Sequence, residues 1–161
     1  RAALLLQRAV AYAEAQNYAD AIADLDDYLA VDTASVAGRW ERAVCQALLN
    51  SYDASRGQNV SMKAAQVEGD FAEAIKASPA NAYLFYNRGT LFATARNYAR
   101  AIDDYSRAIE IDPRFAEAYF NRGLARCYSG DVKEGLSDFS KAGELGIYNA
   151  YAVGKQLSRK K

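Results

Sequence analysis

Asn87 and Asn121 stand 34 residues apart, each followed by arginine, Arg88 and Arg122. An asparagine side chain offers a donor and an acceptor together, so it can hold the main chain of an extended peptide without reading its sequence. The arginines recur with acids. Arg8, Arg88 and Arg122 occupy one position of the recurring pattern, and Asp24, Asp104 and Asp138 another, 16 residues later in each case. A planar guanidinium and a carboxylate paired in this way predict a bidentate bridge inside each structural unit. One unit departs: Asp70 stands at the acid position, and the arginine position is read as Ala43, leaving Arg42 one residue earlier as a substitute or Asp70 solvated.

Catalytic chemistry finds little support. The chain has no histidine, which removes the commonest general base and metal ligand at neutral pH. Acidic pairs such as Asp26-Asp27 and Asp103-Asp104 fall within helical patterns, without the glycine-containing loop of alternating oxygen ligands that calcium requires. Cys45 and Cys127, the only cysteines, lie in different units and read as small buried residues. No cofactor and no metal is expected.

The pattern that positions these residues has a period of 34. Gly89 recurs as Gly123, Tyr105 as Phe139 and Ala108 as Ala142. A period in this range marks a solenoid of small units that bury their apolar faces only by stacking. Within one period, Tyr83 to Ala95 and Tyr98 to Ile111 carry apolar residues at helical spacing, separated by Arg96-Asn97 and closed by Asp112-Pro113. Each unit is therefore a helical hairpin, with Asn97 as a helix N-cap. The first unit matches the third at an offset of 80, two periods plus 12, which places an insertion in the second. Its first helix is expected over 36–50, and the polar stretch 51–61 is expected to be a loop with room for a turn of helix. A final amphipathic helix over 147–159 is expected to close the stack with Tyr148, Tyr151, Ala152 and Leu157.

These residues resemble the tetratricopeptide repeat family, built of 34-residue hairpins with large, small and aromatic residues at set places. The third unit supplies Phe85, Gly89, Phe92, Ala101, Tyr105, Ala108 and Pro113; the fourth Tyr119, Gly123, Phe139 and Ala142; the first Leu5, Ala9, Tyr12, Ala21 and Leu25; the second Trp40, Phe71, Ala74 and Pro79. The fourth departs at Arg126, Gly135 and Ile147. The closing string, 141–150, is similar to the ends of bacterial repeat proteins.

The resemblance implies one all-α domain, a right-handed solenoid of antiparallel hairpins, with repeats over about 2–35, 36–81, 82–115 and 116–146 and a capping helix over about 147–159. It also implies a concave face lined by the first helix of each hairpin. On that face it places Tyr83, Tyr86, Asn87 and Thr90; Glu117, Phe120, Asn121 and Leu124; Gly38, Glu41, Arg42 and Cys45; and Ala3, Leu6, Gln7 and Val10. Asn87 and Asn121 would hold main chain, the aromatics would supply apolar contact, and Glu41 and Arg42 would select charge. Glu117 stands where a C-terminal carboxylate clamp would want a cation, which disfavours that mode.

The implied function is a non-enzymatic scaffold for a peptide or protein partner. Two other readings are self-association into a homo-oligomer and a glycan or small-ligand site at the inserted segment. Lys plus Arg and Asp plus Glu stand at 20 each, so no net field draws nucleic acid. No apolar run reaches the roughly 18 to 20 residues of a membrane span, so no membrane insertion is expected. The chain opens at Arg1 inside a helical pattern, as if an upstream targeting segment had been removed, and no compartment is legible.

Overall fold

A computed structural model describes the backbone of residues 2–55 and 64–159 and the side chains of residues 2–49 and 66–159. Among the described residues every regular element is an α-helix: α1 (Ala2–Glu14), α2 (Tyr18–Val31), α3 (Val36–Ser55), α4 (Ala64–Ala77), α5 (Ala82–Thr94), α6 (Tyr98–Ile111), α7 (Ala116–Ser129), α8 (Val132–Glu144) and α9 (Ala150–Ser158). They form two compact units, residues 1–79 with α1–α4 and residues 80–161 with α5–α9.

The corners follow from local chemistry. Asn97 caps α6 as expected, its side chain accepting from the Arg100 N–H at 3.4 Å, and Asp131 does the same for α8 with Glu134. Before these caps the chain turns through a left-handed residue, Arg96 (φ 58°) before α6 and Gly130 (φ 105°) before α8, with Gln16 (φ 60°) matching Arg96 in the first hairpin. The Asn97 N–H then bonds to the Phe92 carbonyl and the Asp131 N–H to that of Arg126, satisfying the carbonyls that a helix end exposes.

Small residues let the paired helices approach. A Cβ at Gly135 would lie 2.5 Å from Cys127 Sγ and 2.9 Å from the Gly123 carbonyl oxygen, so glycine, which departs from the repeat pattern here, is what allows α7 and α8 to meet. In the first hairpin Ala9, Ala21 and Leu25 form the core with Cys45 of α3; in the third, Phe92, Ala101 and Tyr105 do so with Ala125 of α7.

Helix α3 runs to Ser55, so a turn of helix within 51–61 prolongs α3, and no glycine or proline lies between Gly38 and Gly57 to stop it. The rest of the insertion, 56–61, lies outside the described residues. The last helix begins at Ala150, which stands in register with Ala116 and Ala82, so α9 packs as the first helix of a further repeat. Its inward face is Ala150, Val153, Gly154 and Leu157, against Phe139 and Ala142. Leu157 covers as expected; Tyr148, Tyr151 and Ala152 turn outward, and Tyr148 is 91% exposed.

Candidate functional site

Each hairpin pairs an arginine of its first helix with a buried aspartate of its second, and in the fourth Arg126 Nη1 adds a further contact to Asp138 at 2.8 Å. Arg8 bonds to Asp24 (2.6 and 2.6 Å), Arg42 to Asp70 (2.8 and 2.9 Å), Arg88 to Asp104 (2.8 and 2.7 Å) and Arg122 to Asp138 (2.9 and 2.7 Å), always through Nε and Nη2. All four aspartates are buried. The Arg8 guanidinium holds the Asp24 carboxyl below its usual range, chiefly by hydrogen bonding. In two hairpins Nη1 reaches back to the preceding hairpin, from Arg42 to Asp26 at 2.6 Å and from Arg122 to Ser106 at 2.9 Å.

This geometry corrects the register of the second repeat. Arg42 lies 34 residues after Arg8 and 80 before Arg122, so it occupies the bridge position, and Ala43 matches Gly89 and Gly123. With the frame moved by one, the residues equivalent to Tyr83, Tyr86, Asn87 and Thr90 are Ala37, Trp40, Glu41 and Val44. Gly38 is buried against Tyr28, Cys45 is buried among Ala9, Ala21 and Leu25, and Arg42 is committed to two carboxylates. Glu41 stays on the first-helix face, at the asparagine position, where burial raises its pKa. Gln7 is exposed on α1.

In the C-terminal unit, α5 and α7 bring several of the expected residues together. Asn121 Nδ2 donates to the Tyr86 hydroxyl at 2.9 Å, and burial raises the pKa of that hydroxyl, with the nearby Glu117 charge adding to the effect. Thr90 Oγ1 donates to the Tyr86 carbonyl (3.0 Å) and accepts from the Tyr105 hydroxyl (3.2 Å). Asn87 is half-buried and makes no side-chain hydrogen bond among the described residues. The Tyr83 and Tyr86 rings lie 4.9 and 4.8 Å from that of Phe115, leaving Tyr83 60% exposed. Phe120 turns to Phe139 at 5.4 Å, within the core that receives α9.

Leu124 and Asn121 also line a cavity of about 200 Å³ between α5, α6 and α7, together with Thr94, Tyr98 and Tyr128. No motif in the sequence alone singles out Tyr98 and Tyr128 as site residues, because a tyrosine at the start of an amphipathic helix reads as packing between helices. The signal available was helical spacing, since Asn121, Leu124, Ala125 and Tyr128 share one stripe of α7.

Among the described residues no group of three or more His, Cys, Asp or Glu side chains could hold a metal ion, and no helix is long and apolar enough to cross a membrane. The side chains of the inserted segment 51–61, where a glycan or small-ligand site was expected, lie outside the described residues.

Two family models match, one described as "Tetratricopeptide repeat" over residues 6–59 and one as "TPR repeat" over residues 97–127, together slightly more than half of the sequence. The chain belongs to the tetratricopeptide repeat family. Solved structures agree on the fold. MamA from Desulfovibrio magneticus RS-1, in a form beginning at its residue 41, superposes with a TM-score of 0.76 at 18% identity, covering 90% of this chain and 75% of that one. YrrB, described as a tetratricopeptide protein with an unusual peptide-binding site, gives 0.69 at 19% identity, covering 100% and 79%. The second tetratricopeptide domain of human RPAP3, solved with an HSP70 peptide, gives 0.56 at 24% identity, covering 72% and 94%. No curated protein matches the sequence significantly. The all-α solenoid fold class expected from the repeat period is the one these tetratricopeptide structures share.

Proposed function

We propose that this tetratricopeptide chain is a non-enzymatic interaction scaffold that holds an extended peptide or protein segment on the first-helix face of its hairpins. The observation that carries the reading is the state of the two amides. Asn87 has its whole hydrogen-bonding capacity unspent among the described residues, and Asn121 has spent one N–H on Tyr86, keeping its Oδ1 acceptor. A peptide main chain supplies both a donor and an acceptor to such amides. The exposed Tyr83 ring, one turn before Asn87 on α5, adds apolar contact of the kind that anchors interfaces. Relatives of the same fold, YrrB and the RPAP3 domain, are described as peptide-binding or peptide-bound.

The test is selection of a displayed peptide library on the intact protein, with the Asn87→Ala, Asn121→Ala double variant as control. Binders that lose at least about tenfold in affinity on the double variant, roughly 1.4 kcal/mol, support the reading. Binders indifferent to both asparagines sink it.

Self-association is a second reading, favoured by the outward Tyr148 and Tyr151 of the α9 end. Light scattering over a concentration series, with Tyr148→Ser and Tyr151→Ser, tests it; a concentration-independent monomer mass removes it.

A further inference from the structure

The cavity between α5, α6 and α7 contains several hydroxyl groups, yet most of its polar capacity is turned away from the empty space. Thr94 Oγ1 donates to the Thr90 carbonyl at 2.9 Å, Thr90 Oγ1 donates to the Tyr86 carbonyl, and the Tyr105 hydroxyl donates to Thr90. What these side chains leave for an occupant is methyl groups and ring faces. Tyr98 and Tyr128 stack at 5.6 Å between centroids and form one wall, and none of the described residues lining the cavity is charged. An apolar cavity of roughly 150 Å³ admits a benzene ring, and drug-sized ligands occupy pockets of roughly 300 Å³ and more. At about 200 Å³ this one fits a single aromatic side chain. Asn121, with its free acceptor, lies on the same lining.

We propose that this cavity is the anchoring subsite of the groove and takes one aromatic side chain of the bound segment, with Asn121 holding the adjoining main chain; the inference rests on the peptide-binding reading above. An aromatic guest gains offset or edge contact with the Tyr98–Tyr128 pair, whereas a charged guest finds no counter-charge among the described lining.

The experiment uses the full chain and two probes, N-acetyl-phenylalaninamide and N-acetyl-glycinamide, followed by amide NMR shifts. The phenylalanine probe is expected to shift Thr90, Thr94, Asn121 and Leu124 saturably, and the glycine probe is not. Ala93→Leu places a larger side chain on the lining and is expected to weaken the phenylalanine probe about tenfold or more, the scale at which a pocket senses one or two methylene groups. Tyr128→Ala, at an exposed position, removes the stacking wall and is expected to weaken it as well, which keeps the test open should Ala93→Leu fail to fold. A phenylalanine probe that leaves these residues unshifted, or binds both variants as it binds the parent, overturns the subsite. Asn-dependent library binders without a shared aromatic residue would also overturn it while leaving the groove intact; library binders that ignore both asparagines overturn the groove reading itself.

Discussion

Asn121 of α7 donates to the Tyr86 hydroxyl of α5 at 2.9 Å, so the two repeats of the C-terminal unit are joined by a side chain of the proposed binding face. Asn87, one period earlier, makes no such bond among the described residues. The two asparagines should therefore differ in stability while agreeing in binding. Asn121→Ala is expected to cost about 1 kcal/mol, Tyr86→Phe a similar amount, and the double variant less than their sum. Asn87→Ala should stay within about 0.5 kcal/mol of the parent. Urea denaturation measures all four, and a loss at Asn87 equal to that at Asn121 would make Asn87 structural.

The arginine bridges should rank by burial. The Arg122 side chain is 14% exposed and bonds to both Asp138 and Ser106, whereas that of Arg8 is 59% exposed and bonds to Asp24 alone. Arg126 Nη1 also reaches Asp138 at 2.8 Å, so removing Arg122 weakens the pairing of this buried carboxylate without stranding it, and Arg122→Ala is expected to cost about 2 kcal/mol. Arg8→Ala should cost visibly less. Arg122→Lys should recover only part of the loss, because an ammonium cannot make the forked contact to Asp138 and also reach Ser106. Equal denaturation midpoints for Arg8→Ala and Arg122→Ala would contradict this order.

Asp24 and Glu41 make opposite contributions across acid pH. The pKa of Asp24 is lowered in the folded chain, so its contribution is present above its ordinary value of 3.8 and is lost as pH falls through the lowered value. Burial raises that of Glu41, so folding gains from its protonated form below the ordinary value of 4.5, and the gain fades as pH rises through the raised value. Glu41→Gln should accordingly be more stable than the parent at neutral pH, with the difference vanishing below about pH 4. Thermal melts of both proteins from pH 3 to 8 would show it; a difference constant across that range would refute it.

Two helical glycines of α8 should respond oppositely to alanine. At Gly135 the added Cβ meets Cys127 and the Gly123 backbone, and overpacking of this kind costs about 1 to 3 kcal/mol. Around Gly143 nothing lies within 4 Å, so alanine should add stability by up to about 1 kcal/mol through its better helix propensity. Calorimetry of the two single variants checks the sign of each.

The repeat was legible because its signals are local and strong. Asn97, Gly89 and Tyr105 carry capping, close approach and core filling at fixed offsets, and the helices follow. The frame of the second repeat was harder, since Ala43 and Arg42 both fit a loose pattern of small and polar residues. Matching Arg8 to Arg42 to Arg122 at offsets of 34 and 80 would have settled it. The Asn121–Tyr86 bond and the cavity beside it were not legible, because they depend on how α7 seats against α5 and α6, which no single helix encodes.

The backward reach of Arg42 to Asp26 and of Arg122 to Ser106 bears on how the protein comes apart. In a repeat protein, cooperativity is governed by coupling between neighbours more than by the stability of each repeat. A bridge within a hairpin makes that hairpin sturdier; a bond to the hairpin before it makes two fail together. Amide protection of α2 should therefore be lost together with that of α3 and α4, and protection of α6 together with that of α7 and α8. At these junctions the step of unfolding is larger than the hairpin that recurs in the sequence.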